Sequence, residues 1–177
     1  MKTTFLLLLS CILTINSIAQ EKNISGARAW KTISLLSGTQ IKDAKAILAK
    51  EGLIEYKKDT DEATKGVVYF FAADVAEKNY EPDYKLFCIN GKVVMLTISY
   101  EYSEESTTYK KETSEMKNIL KANGFTENKK QRTLQGMLVF DYSTSKKNTD
   151  ATLVVDEDLA NFTLILGETK YVKMATE

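Results

Sequence analysis

The alternation of apolar and polar positions divides the chain into two similar series of elements. In the first, Trp30, Ile33 and Leu36 recur at intervals of three and predict a short helix over residues 27–36. Ser37, with Gln40 three positions on, fits a capping box. A second helix is predicted over about residues 39–51, with Ile41, Ala44, Ile47 and Leu48 inward and Gly52 as its left-handed stop. A short strand over 53–57 and a polar loop over 59–65 come next. The β-branched and aromatic run GVVYFFAA over 66–73 reads as a strand. After a polar excursion holding the single proline, Pro82, strands over 84–89 and 92–102 meet at Asn90-Gly91, a type I′ hairpin signal. On the longer of these, Val94, Leu96, Ile98 and Tyr100 alternate with Val93, Met95, Thr97 and Ser99.

The pattern then starts over. A helix over about 107–123 aligns Tyr109, Thr113, Met116, Ile119 and Leu120, and Gly124 ends it. Strands follow over 136–142, 151–155 and 159–167, then a tail over 171–177. The recurrence is literal at residues 45–58 (KAILAKEGLIEYKK) and 117–130 (KNILKANGFTENKK). Lys45/Lys117, Ile47/Ile119, Leu48/Leu120, Gly52/Gly124, Glu55/Glu127, Lys57/Lys129 and Lys58/Lys130 are identical. About one identity would be expected by chance. The expected fold class is therefore α+β: a tandem repeat of a helix plus a three- or four-stranded antiparallel sheet, helices on one face. The units would span 20–103 and 104–177, as two units or one continuous domain, and the sheets could join edge to edge.

The S-G-T-Q helix opening, the segment AILAKEGL and the hairpin N-G-K-V-V resemble the small exported α/β modules of the β-lactamase-inhibitor-protein type. They are also similar to outer-membrane assembly lipoprotein modules. The resemblance implies a two-helix segment on a small antiparallel sheet and, for the inhibitor type, a tandem of such units. It carries over no functional residue, and the paired disulfides of the inhibitor have no counterpart here.

Residues 1–19 carry a leader pattern: Lys2, an apolar run from Phe5 to Ile18, and Ser17-Ile18-Ala19 before Gln20. Export to the periplasm or outside is expected, with no stable membrane span after cleavage. The alternative is a lipid anchor on Cys11, within Leu8-Leu9-Ser10-Cys11. From Gln20 onward the 24 basic residues, less Lys2, leave 23 against 24 acidic ones. Near-neutrality and just two arginines, Arg28 and Arg132, argue against nucleic acid as a partner. Cys88 is the single cysteine beyond the leader, in an apolar strand, and reads as a buried inert thiol.

With no histidine, Ser-His-Asp and Cys-His nucleophile systems and most zinc sites are excluded. No phosphate loop or dinucleotide fingerprint occurs, so no cofactor and no metal are expected. Asp59-Thr60-Asp61 only faintly resembles a calcium loop, and Lys57-Lys58 sits among acidic neighbours as solvated charge. Glu104-Glu105 and Asp156-Glu157-Asp158 are candidate carboxylate pairs, and both fall at turns.

What remains is the sheet face opposite the helices. Aligning Gly66 with Gly136 pairs Phe70 with Phe140 on the helix side, leaving Tyr69, Phe71 and Met95 on the other as candidate binding residues. The more ordinary reading of that face is that it is buried against the second unit or the first helix. The function expected is a non-enzymatic module that contacts a protein or an envelope component. The alternatives are a carrier with an apolar pocket between sheet and helices, and a carboxylate-dependent hydrolase.

Overall fold

In a computed structural model, the described residues are 26–73, 83–101, 108–129, 132–145 and 148–176. The leader, Cys11 and Glu104-Glu105 lie outside them. The element order is α1 (Gly26–Leu36), α2 (Ile41–Lys50), β1 (Leu53–Asp61), β2 (Gly66–Ala73), β3 (Asp83–Ile89), β4 (Lys92–Glu101), α3 (Thr108–Ala122), β5 (Thr126–Glu127), β6 (Arg132–Leu134), β7 (Met137–Thr144), β8 (Thr149–Asp156), β9 (Asn161–Glu168) and α4 (Thr169–Thr176). The fold is α+β, with four helices and one antiparallel sheet of nine strands among the described residues.

The strand order is β1-β2-β3-β4-β9-β8-β7-β5, with β6 also on β7. Each series forms a meander, and the last strands of the two, β4 and β9, pair antiparallel at the centre. The two sheets therefore do join edge to edge. α1, α2 and α3 pack on one face, which we call inner. Ile33, Leu36, Ala44, Leu48, Met116 and Leu120 fill it against Leu86, Leu96, Ile98, Leu153, Leu164 and Leu166. Trp30 closes the end of this layer with its ring edge-on to Phe125 at 6.2 Å.

Besides β1, which runs on to Asp61 where a loop was expected, two elements depart from the sequence reading. Ser37 does not cap α2, which begins at Ile41 after Gln40, with no side-chain cap. The β3–β4 hairpin does that work: Ile41 donates its N–H to the Gly91 carbonyl at 2.7 Å, and Val93 donates to Thr39 at 2.8 Å. A tertiary partner satisfies the orphan donor that a local one was expected to satisfy. The C-terminal tail is the second departure. It forms α4, and α4 packs on the outer face, where Val172 joins Val139, Val154 and Ile165. Helices therefore lie on both faces, three inner and one outer.

The central ladder depends on Gly167. A Cβ there would lie 2.5 Å from the Val94 carbonyl oxygen and 2.6 Å from Met95 Cα. Both are backbone atoms that a rotamer change cannot move. Gly167→Ala should therefore destabilise the fold by about 2–3 kcal/mol, the upper part of the range for overpacking a close-packed site. Urea unfolding followed by circular dichroism measures it.

Candidate functional site

Tyr69, Phe71 and Met95 do not share a face. Phe71 is 1 % exposed in the inner core, and Tyr69 packs against that same core. Met95 lies on the outer face against the α4 cluster. The placement of Tyr69 and Phe71 on the uncovered side is therefore corrected, and the cause is one residue of register. Glu55 pairs with Phe71 and its repeat mate Glu127 pairs with Tyr142. This equates Phe71 with Tyr142, and hence Tyr69 with Phe140, rather than Phe70 with Phe140. Side chains alternate along a strand, so a slip of one exchanges its faces.

The corrected register gives the shared charges of the repeat a structural role. The Lys45 ammonium lies 4.7 Å from the Tyr69 ring centre and 2.5 Å from the Glu55 carboxylate. In the second series Lys117 sits 3.1 Å from the Phe140 ring centre, while Glu127 takes Lys121 at 2.9 Å. Each helix thus places a cation over an aromatic ring on the inner face of the sheet, a contact worth about 0.5–2 kcal/mol depending on desolvation. Burial pulls the Lys117 ammonium below its usual range, opposed by the Glu127 charge. Glu127 is held below the usual carboxylate range, first by its hydrogen bond with Lys121.

Among the described residues the outer face of β1–β4 is the less covered one, because α4 lies over β8 and β9 and reaches beyond them just to the near part of β4 and, through Tyr171, to Phe87 of β3. Phe70 lies in its middle. Its ring is 6.1 Å from that of Tyr56, and the ammonium groups of Lys57 and Lys85 stand 5.1 and 5.9 Å from its centre. Tyr56 is 52 % and Ile54 46 % exposed. Towards α4 the surface dips into a cleft of about 270 Å³ between Val68, Lys85, Phe87 and Met95 on the sheet and Tyr171 and Met174 on the helix. Phe87 packs edge-on to Tyr171 at 5.4 Å. Its ring lies over Gly66, where a Cβ would come within 2.2 Å of it. Glycine at the start of β2 thus lets Phe87 lie flat along the sheet and form one wall of the cleft. The face is apolar at its centre, edged by lysines, and 62 % exposed at Met174.

A second, polar cleft of about 440 Å³ lies at the far end of the outer face. Arg132 binds Asp141 through two N–H···O bonds, Nε to Oδ2 at 2.7 Å and Nη2 to Oδ1 at 3.1 Å. Its Nη1 donates to the Thr176 carbonyl at 2.6 Å, and Thr152 donates to Asp141 at 2.9 Å. The guanidinium satisfies a terminal carbonyl of α4 and opposes its negative end. These contacts fasten α4 to the sheet. The hydrogen bond from Arg132 holds the Asp141 carboxyl below its usual range, against the opposing effect of burial.

The remaining sequence candidates are structural. Burial pushes the Cys88 thiol up to about 11. Asp156 accepts the backbone N–H groups of Asp158 and Leu159, and Asp61 accepts from Thr64, so both acidic runs close turns. Among the described residues no group of three or more Asp, Glu, Cys and His side chains could hold a metal ion. The signal for the outer-face aromatics was present in the alternation of β2, but not the register that assigns it. No known protein family, characterised protein or solved structure matches the chain.

Because the folded-state pKa of Asp141 is depressed, its pairing adds stability above the unfolded carboxylate value, near 4, and that stability is lost as pH falls through the folded value. Asp141→Asn should lower stability at pH 7 by about 1–3 kcal/mol, the range for charge-assisted hydrogen bonds. It should also make the loss of stability below about pH 4 shallower. Urea unfolding at a series of pH values reads both.

Proposed function

We propose that the chain is an exported, non-enzymatic binding module that contacts a protein or another component of the cell envelope through the outer face of β1–β4. The observation that carries this reading is the Tyr56–Phe70 pair, half-exposed at the bulge of β1, flanked by Lys57 and Lys85 and continuous with the Phe87–Met95–Tyr171 cleft. Aromatic anchors on a rigid support, with a charged rim, are the usual composition of a protein-binding surface. Their backbones belong to paired strands, so binding would have little main-chain ordering to oppose it.

The same reading takes the two halves as a tandem repeat. Gly52 and Gly124 end equivalent helices with φ of 82° and 84°. Lys45 and Lys117 cover equivalent rings, and Glu55 and Glu127 pair with equivalent positions of β2 and β7. Kinship with the inhibitor-type and assembly-lipoprotein modules belongs to this proposal and rests on that paired arrangement. A small hydrophobic-ligand carrier is the second reading, favoured by the cleft beside Tyr171. At about 270 Å³ the cleft is slightly below the volume usual for such sites.

Tyr56→Ser combined with Phe70→Ser tests the proposal. Both residues lie outside the buried core, so the far-ultraviolet spectrum should be retained. Affinity for the component captured from envelope extract should fall about thirtyfold, as for the loss of a 2 kcal/mol hot spot. Unchanged capture by the folded variant would make the outer face irrelevant to binding.

A further inference from the structure

We infer that β1 is a self-pairing edge, at which two copies of this chain join antiparallel about a two-fold axis passing next to Tyr56. β1 runs nine residues, Leu53–Asp61, at the end of the sheet, and among the described residues β2 is its only strand neighbour. All but its first and last residues are exposed. An exposed edge of this length carries a row of unpaired backbone groups that another strand can meet.

The bulge in β1 decides which strand. Glu55 pairs with Phe71 and Lys57 with Phe70, so Tyr56 is an extra residue and the inside–outside alternation shifts by one there. Glu55, Lys58 and Thr60 sit opposite the inner-face residues Phe71, Tyr69 and Val67. Ile54, Lys57 and Asp59 sit opposite outer-face Ala72, Phe70 and Val68, and the Tyr56 ring also reaches Phe70. A foreign strand with regular alternation falls out of phase at this point. A second β1, with its bulge facing the first, stays in phase along its length.

In that register Glu55 faces the second copy's Lys58, and Tyr56 faces its Lys57, each contact occurring twice. Ile54 faces the second copy's Asp59, and Leu53 its Thr60. Lys58 makes no ion pair within the chain among the described residues. Glu55 holds only Lys45, so its second oxygen can take another cation. Centring the axis on Lys58 instead would oppose two lysines and set Glu55 against Asp61, and like charges directly opposite destabilise a ladder. The paired copies would form a continuous sheet with their two Tyr56–Phe70 patches side by side. The inference does not depend on what binds that face.

Sedimentation equilibrium of the purified protein tests it. The wild type should show a concentration-dependent monomer–dimer equilibrium. Lys58→Glu should weaken the dimer about tenfold, because two favourable cross-strand pairs become repulsive. Adding Glu55→Lys to that variant should restore it, and Ile54→Lys alone, facing Asp59, should tighten it. A wild type that stays monomeric, or a dimer indifferent to these reversals in variants with native circular dichroism, overturns the inference.

Discussion

Everything in this molecule depends on the seven-pair ladder between β4 and β9. Each series ends on a strand that, alone, would be a bare edge beside a three-helix layer too large for either half. Pairing them removes both edges at once and makes one continuous inner face for α1, α2 and α3. Gly167 shows how closely the strands approach, because its missing side chain leaves space that the β4 backbone occupies. Ser99 and Thr163 extend the seam at side-chain level, their hydroxyl oxygens 3.1 Å apart.

The two faces of the sheet are built on different principles. The inner face is closed by aliphatic and aromatic packing, Phe71, Tyr84, Tyr142 and Phe162 included, with its charges held at the periphery as Lys45 over Tyr69 and Lys117 over Phe140. Among the described residues, the outer face is closed where α4 covers it. That cover is an eight-residue helix held by Val172, the Phe87–Tyr171 contact and the grip of Arg132 on its last turn. Beyond α4, among the described residues, the outer side chains of β1 and β2 remain partly exposed, and Tyr56 and Phe70 form an aromatic pair there.

Much of this was legible in the sequence, and the failures have identifiable causes. β2, β3, β4 and α3 came out within one or two residues, because strict alternation and helical spacing are local signals. The edge-to-edge join followed from two meanders of similar length. The face assignment of Tyr69 and Phe71 failed because Gly66 is the first residue of β2, paired with Asp61, whereas Gly136 lies in the turn before β7, whose first residue is Met137. An alignment anchored on Gly66 and Gly136 cannot register that. The cap of α2 failed because its partner, Gly91, lies fifty residues away. α4 was unreadable for a related reason: Lys and Thr alternate with Tyr, Val and Met in a segment too short to hold as a helix without the sheet and Arg132.

The β4–β9 seam also sets the order of events in time. Its partners are separated by 60 residues at Glu101–Asn161 and by 72 at Met95–Gly167. Their loop-closure entropy has to be overcome before any of the ladder forms. A chain emerging from its N-terminus completes α1 through β4 while β9 does not yet exist. For that interval β4 is a ten-residue apolar strand open to any neighbour. The last strand is therefore what ends the aggregation-prone phase of folding, so truncations near the C-terminus would be felt first as lost yield of folded protein.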